Sequence, residues 1–341
     1  MNRVCITGGA GYVGAVLCKK LLREGFWVTI LDTCWYWPNP FFHEGRISKN
    51  TNKVRWKVIQ GDIRDRKTVI DAFKGQDAVI HLACISNDPS FELNPNLGRQ
   101  INYDAFANIL YALKACQVDQ FIYASSSSVY GIKNEPNVTE EMSCEPLTDY
   151  SKFKLMCEED LKKESFPEHF SWTIVRPATV CGYSMRMRLD LVVNLLTMQA
   201  ISEGEITVLG GNQLRPNIHV QDMTDAYMRL LKVSPRIINR QTFNVGYENM
   251  SVASIAELIK KHIPETKIRT KPSNDNRSYH VNSDKITQVT GFKPRYSVED
   301  AIKEIIAYEK QGFIQEPFKR NCYHNIKALQ ELINEGKIQL S

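Results

Sequence analysis

The sequence has no C-x-x-C pair, no block of like charge and no internal repeat, and no apolar run approaches the ~18 residues of a membrane span. Its nine cysteines lie scattered between Cys5 and Cys322, an odd number without metal-ligand spacing. That argues against a disulfide framework and against a zinc site. No metal is expected, and most thiols read as small apolar core residues in a reducing compartment. The net charge of +5 is modest, and the densest basic stretch, 152–163, is interleaved with Glu158, Glu159 and Asp160. It reads as a solvated helix face, not as the basic stripe that follows nucleic acid. Mild positive charge suits an anionic small substrate. After Met1-Asn2-Arg3 an expected strand begins at once, which leaves no room for a secretory leader. The expectation is a cytoplasmic, soluble protein with no nucleic-acid and no membrane partner.

What is present is a rhythm. Short apolar runs at 4–7, 26–31, 54–59, 78–82, 121–124 and 173–175 alternate with helical patterns at 11–24, 96–115 and 150–163. This implies an α/β fold, a parallel sheet wrapped by helices. Pro177 is expected to stop the sixth strand. After about residue 178 the loops lengthen and Gly and Pro become frequent. A cofactor-binding part over 1–178, with 217–246 returning to it, is expected. So is a smaller substrate-binding lobe within 179–341, built mainly from 178–215 and 260–295. A helix over 301–311 and a helical tail towards Ile338 complete the expected architecture.

Gly8, Gly11 and Gly14 fall between the first strand and the first helix, the context a dinucleotide-binding turn requires. Glycine lets the backbone turn tightly and approach a pyrophosphate, and the helix N-terminus faces the anion with its partial positive end. Two residues, not one, separate the first two glycines. Asp32 ends the second strand, where a carboxylate accepts both ribose hydroxyls and repels a 2′-phosphate. NAD is therefore the expected cofactor. Asp62-Ile63, after the third strand, would lie by the adenine.

Tyr150 and Lys154 stand four residues apart on one face of a predicted helix, downstream of Ser125-Ser126-Ser127-Ser128. Tyrosine is a weak base at neutral pH, with an ordinary pKa near ~10. A neighbouring cation stabilises the phenolate, and a serine hydroxyl can position the substrate and support proton transfer.

Here the chain resembles the extended short-chain dehydrogenase/reductase family, in its nucleotide-sugar epimerase and dehydratase branch. The matching stretches are Thr7-Gly8-Gly9-Ala10-Gly11-Tyr12-Val13-Gly14, Ile80-His81-Leu82-Ala83, Val129-Tyr130-Gly131, Tyr150-Ser151-Lys152-Phe153-Lys154 and Arg176-Pro177-Ala178. Arg215-Pro216-Asn217-Ile218-His219-Val220-Gln221-Asp222 and Phe243-Asn244-Val245-Gly246 continue it, so that it covers about 3–308. The resemblance implies a Rossmann-type doubly wound sheet with a smaller C-terminal substrate lobe. It implies that Tyr150 is the acid/base, that Lys154 holds the nicotinamide ribose and lowers the Tyr150 pKa, and that Ser126 is the catalytic hydroxyl. Gly8, Gly11, Tyr12, Val13, Gly14, Asp32, Asp62, Ile63, Leu82 and Ala83 would line the cofactor. Ser128, Asn194, Arg215 and Arg277 would meet a nucleoside-diphosphate sugar, and Asn102 would be structural. Relatives dimerise through helices equivalent to 96–115 and 150–163, which implies a homodimer.

The expected reaction is oxidation and reduction at C4 of the sugar through a 4-keto species, with C4 epimerisation first. A net C4 dehydrogenase or 4-ketoreductase is the alternative. A 4,6-dehydratase is disfavoured, because that branch places Asp-Glu after its catalytic Thr and this chain has Ser127-Ser128 there. A non-catalytic NAD-binding regulator is disfavoured because Ser126, Tyr150 and Lys154 are all kept. Cys181 and His81 are read as mainly structural, with Cys181 on the substrate side. The loop 86–90, the aromatics Trp35, Tyr36 and Trp37, and the tail after Gln311 receive no function.

Overall fold

The computed structural model describes residues 2–36, 55–86, 88–133, 135–272 and 280–338. Trp37, Asn87 and Arg277 lie outside them. The first part of the chain runs β1 (Arg3–Thr7), α1 (Tyr12–Arg23), β2 (Trp27–Asp32), β3 (Trp56–Gln60), α2 (Arg66–Phe73), β4 (Ala78–His81), α3 (Asp88–Glu92), α4 (Pro95–Arg99), α5 (Phe106–Ala115), β5 (Gln120–Ala124), α6 (Asp149–Lys163) and β6 (Ser171–Pro177). There follow β7 (Thr179–Cys181), α7 (Val192–Glu203), β8 (Glu205–Leu209), β9 (Leu214–His219), α8 (Val220–Lys232), α9 (Pro235–Ile238), β10 (Gln241–Val245), β11 (Glu248–Ser251), α10 (Val252–His262), β12 (Lys267–Lys271), α11 (Asp284–Thr290), α12 (Val298–Lys310) and α13 (Asn325–Asn334).

Seven strands form one parallel sheet in the order β10-β6-β5-β4-β1-β2-β3. The order reverses at β1, so the chain winds outward in both directions from the β4–β1 pair, as the Rossmann-type expectation requires. Strand residues alternate between two apolar layers. Val4, Ile6, Val28, Ile30 and Ile80 pack towards α1 and α8. Cys5, Leu31, Val79, Phe121 and Tyr123 pack towards α2, α5 and α6. Both faces are thus buried, which is why the strands read as continuous apolar runs. β8 pairs with β12, and β7, β9 and β11 form a three-stranded sheet. A separate apolar cluster over α7, β8, α10 and α12 holds this second body together.

Two expectations are corrected. Pro177 does not stop β6 but is its last residue, in register with Val245. The Ala178 amide donates to Val245 on the β10 side. The missing Pro177 N–H therefore faces the β5 side, where β5 has already ended at Ala124, and no ladder bond is lost. The helix expected over 96–115 is broken by a π-type turn at Gln100–Asp104. Buried Asn102 sits in this turn and bonds both the amide (2.8 Å) and the carbonyl (2.9 Å) of Ile85, bracing the loop after β4. Among the described residues no helix is long and apolar enough to cross a membrane, and no His, Cys, Asp and Glu side chains are gathered as a metal site.

One buried ion pair joins α6 to the sheet. Arg176 of β6 forks onto Glu158 of α6 with bonds of 3.0 and 2.7 Å. Ser125 donates to the same carboxylate at 2.5 Å. Arg176 also donates to the Tyr130 hydroxyl at 2.8 Å, which in turn donates to Asn244 of β10 at 2.7 Å. Arg176→Met removes the buried partner of Glu158, leaving Ser125 and the half-exposed Lys162 at 3.4 Å, and should cost about 3 kcal/mol. Combining it with Glu158→Leu should recover most of that loss. Urea unfolding of the single and double variants checks both statements.

Candidate active site

A cavity of about 760 Å³ opens at the C-terminal ends of the central strands, the size of a small-molecule or cofactor site. It lies where the sheet order reverses, the switch point at which such folds bind ligands. Gly8, Gly11, Tyr12, Val13, Gly14, Asp32, Asp62, Ile63, Leu82 and Ala83 all line it, as do Ser126, Ser128, Tyr150, Lys154 and Arg215. Residues far apart in the sequence are thus gathered around one space.

The glycine turn is shaped by contact. Gly8 has φ +74°, and a Cβ there would stand 2.7 Å from the Ala83 amide nitrogen. A Cβ on Gly14 would meet the Gly8 carbonyl oxygen at 2.3 Å, so α1 can pack this closely on β1 only with glycine. Gly11 precedes α1 without capping it through a side chain, which leaves the first-turn amides open to an anion. Asp32 accepts the amides of Ala10 (3.0 Å) and Cys34 (2.8 Å) and keeps acceptor capacity for a ribose. Burial raises its pKa, the two amides and Arg186 opposing. Asp62 is forked by Arg64 at 3.0 and 2.8 Å. The glycine cradle, the uncapped helix and the half-buried carboxylate fit a dinucleotide.

Ser126 opens the short 3₁₀ turn Ser127–Tyr130. Its Oγ accepts the Ser128 amide at 3.1 Å and shares a hydrogen bond of 2.8 Å with the Ser128 hydroxyl. Tyr150 faces the same cavity, close enough to Ser126 for that side chain to act on its phenol. Burial pushes the Tyr150 phenol above its ordinary range; Cys84 and Asp88 add to this, and Ser126 and Arg188 oppose it. Lys154 is buried and donates to the Ala124 carbonyl at 2.7 Å. Its ammonium is turned to that carbonyl, and Lys154 is not among the principal causes of the Tyr150 shift. His81 is buried beside Thr7 at 2.7 Å, and burial, with Lys154 adding, pushes its imidazole down to about 3. It is neutral at physiological pH.

Two further expectations are corrected. Asn194 does not line the cavity. Its fully buried amide accepts from the Gly182 amide at 3.0 Å and donates to the Tyr12 hydroxyl at 3.1 Å and the Arg188 carbonyl at 3.0 Å. Its side chain is spent on the protein, tying segment 182–188 to α1. Cys181 does not face the substrate side either: it is buried in the apolar cluster of the second body, and its thiol donates to the Ile218 carbonyl at 3.5 Å. The cysteines that line the cavity are Cys34 and Cys84. Arg186, Arg188, Asp190, His324 and Asn325 also line it and were not singled out from the sequence. The spacing Arg186-Met187-Arg188 in an otherwise apolar stretch was the available signal. The tail residues had none.

A seven-stranded Rossmann-type sheet with this cradle defines a dinucleotide-dependent enzyme fold. Residues 4–246 match the model of the NAD dependent epimerase/dehydratase family. The chain belongs to that family, and its cofactor is NAD. It is 26% identical over 323 residues to the UDP-glucose 4-epimerase of Lactobacillus helveticus, covering 88% of this chain and 94% of that one. In structure it is similar to the UDP-glucuronic acid 4-epimerase of Bacillus cereus in complex with UDP-glucuronic acid and NAD. There the TM-score is 0.76 at 25% identity, with 91% of this chain and 99% of that one covered. It is also similar in fold to DesIV, a dTDP-glucose 4,6-dehydratase from Streptomyces venezuelae, with a TM-score of 0.81 at 19% identity over 93% of this chain and all of that one.

Gly14→Ala forces the turn and α1 apart. It should lower the melting temperature and weaken NAD binding at least about tenfold, since it acts through backbone contacts that cannot relax cheaply. Calorimetric titration with NAD checks it, and wild-type affinity would show that the close packing is not needed.

Proposed function

We propose that the chain epimerises C4 of a nucleoside-diphosphate sugar, a UDP-sugar in keeping with the relatives' substrates. The observation that carries this reading is that Ser126, Tyr150 and Lys154, one turn on, line the same cavity as the glycine turn and Asp32. NAD held by the glycine turn and Asp32 would supply a reversible hydride acceptor for the sugar C4. Tyr150 accepts the C4 hydroxyl proton and later gives it back. Ser126 holds that hydroxyl and passes hydrogen-bonding to the phenol, while Ser128 holds Ser126 and contacts the sugar. Lys154 anchors the nicotinamide ribose, and Arg215 pairs with the substrate diphosphate. Neither Ser127, which is buried, nor Ser128 can act as the second acid and base that a 4,6-elimination requires. Epimerisation in this way would involve no net redox change.

In the same reading, residues 1–178 and 217–246 carry the cofactor and the remainder shapes the substrate side. Two copies pair through the outer faces of α5 and α6, where Tyr111 stands exposed; a sedimentation run returning only monomer would remove that pairing. The nine unpaired cysteines suit the reducing cytoplasm.

Purified protein given UDP-glucose should form the C4 epimer without added NAD. Tyr150→Phe should lower turnover by roughly 10²- to 10⁴-fold while NAD affinity stays near wild type. Accumulation of NADH with a 4-keto product would identify a net dehydrogenase instead. Full activity of Tyr150→Phe would defeat the mechanism.

A further inference from the structure

Three features left without a function by the sequence converge on one side chain. Arg186 is 2% exposed and lines the cavity. Its guanidinium donates to Asn325 at the start of α13 and lies 4.6 Å over the ring of Tyr36. Asn325 in turn donates to Ser86 in the loop after β4 at 3.1 Å. The β2 loop, the β4 loop and the C-terminal segment therefore meet at Arg186, which belongs to none of them.

Among the described residues, the charge of Arg186 has no carboxylate of its own. Asp190 is forked by Arg188 at 2.9 and 3.0 Å. Asp32 is near enough to act on Arg186 but is held by the amides of Ala10 and Cys34. Among the described residues the Arg186 Nε is buried with no hydrogen-bond partner, and so is the Tyr36 hydroxyl that lines the same cavity. A buried guanidinium supported by a neutral amide and a ring, with a second arginine beside it, is costly until an anion arrives.

The backbone before it fixes where that anion lies. Tyr12, the first residue of α1, donates from its hydroxyl to the Gly182 carbonyl at 2.6 Å, and Ser184 donates to the Tyr12 carbonyl at 2.7 Å. Segment 182–186 is stitched to the first turn of α1, and Arg186 lines the same cavity as the glycine turn, near enough to Asp32 to be acted on by it. A diphosphate is the group that matches a planar donor fork and a helix N-terminus together. Both the cofactor and the proposed substrate carry one. Proximity to Asp32 and α1 points to the cofactor's.

We propose that Arg186, braced by Asn325 and Tyr36, binds the pyrophosphate of NAD, so that the C-terminal segment 321–334 takes part in holding the cofactor. This rests on the reading of the cavity as the NAD site and adds a ligand from outside the glycine turn. Asn325 lies beyond the residues matched by the family model.

The test uses the full chain stripped of cofactor, with NAD and UDP titrated separately into wild type, Arg186→Gln and Asn325→Ala. Losing a charged hydrogen bond should raise the NAD Kd about 10- to 100-fold in Arg186→Gln, and roughly threefold to tenfold in Asn325→Ala, with UDP affinity unchanged. Unchanged NAD affinity in Arg186→Gln overturns the proposal, as does a loss confined to UDP, which would assign the arginine to the substrate's diphosphate. If Arg186→Gln does not fold, Asn325→Ala decides, and wild-type NAD affinity there overturns it. A wild-type chain that binds no NAD would defeat the reading of the cavity itself, which separates that failure from this one.

Discussion

The buried pair Arg176–Glu158 is the constraint on which the site depends. Glu158 lies on α6, two turns beyond Tyr150 and one beyond Lys154, and it is fully buried. Arg176 stands on the neighbouring strand, and its carboxylate partner holds the guanidinium charged against the burial that opposes it. Ser125 adds its hydroxyl to the same carboxylate, one residue before Ser126. The position of α6 relative to the end of β5 is therefore set by a network in which every charge has a partner. Such a network contributes little net stability compared with an apolar core, because desolvation offsets the attraction. What it contributes is a single arrangement, since any other leaves a charge unpaired in a dry interior. Tyr150 and Ser126 meet because the residues behind them can meet in only one way.

A second set of bonds does for the two bodies of the molecule what that pair does for the sheet. Tyr12 belongs to the glycine turn by sequence, yet its hydroxyl reaches Gly182, and Asn194 reaches back to it. Lys20, one face along α1, donates to the Gln221 carbonyl and pairs with Asp225 of α8 at 2.6 Å. Helix α1 is thus fixed to the sheet by the glycines and to the remainder of the chain by its polar side chains. The cradle and the opposite cavity wall cannot drift apart without breaking buried hydrogen bonds.

The sheet was legible because both of its faces are buried, so its strands appear as unbroken apolar runs with turn residues between them. The glycine turn was legible because close backbone approach excludes every other residue. Ser126, Tyr150 and Lys154 could be picked out from their spacing. Asn194 was misjudged for a physical reason: an amide offers the same donors and acceptors to a ligand as to a backbone, and only the fold shows which it has met. Cys181 was misplaced because a strand turns alternate residues to opposite faces, and the sequence did not show which face of β7 packs into the second body. Arg186 escaped because an isolated arginine carries no periodic signal. Its significance comes from lacking a carboxylate, a property of the assembled cavity alone.

The electrostatics of that cavity explain why its acid/base group suits a reaction that begins only when both ligands are present. Without ligands, burial and the neighbouring Asp88 and Cys84 keep the Tyr150 phenol protonated. Ser126 and Arg188 oppose this without outweighing it. A substrate hydroxyl brought against Ser126 would add a donor to the developing phenolate, and ligands filling the cavity would displace the water that screens Arg188 and Lys154 from it. Each change favours the charged form of tyrosine, and their effects grow as the local dielectric falls. The same burial that disfavours phenolate in the empty cavity therefore strengthens the charges that stabilise it in the filled one.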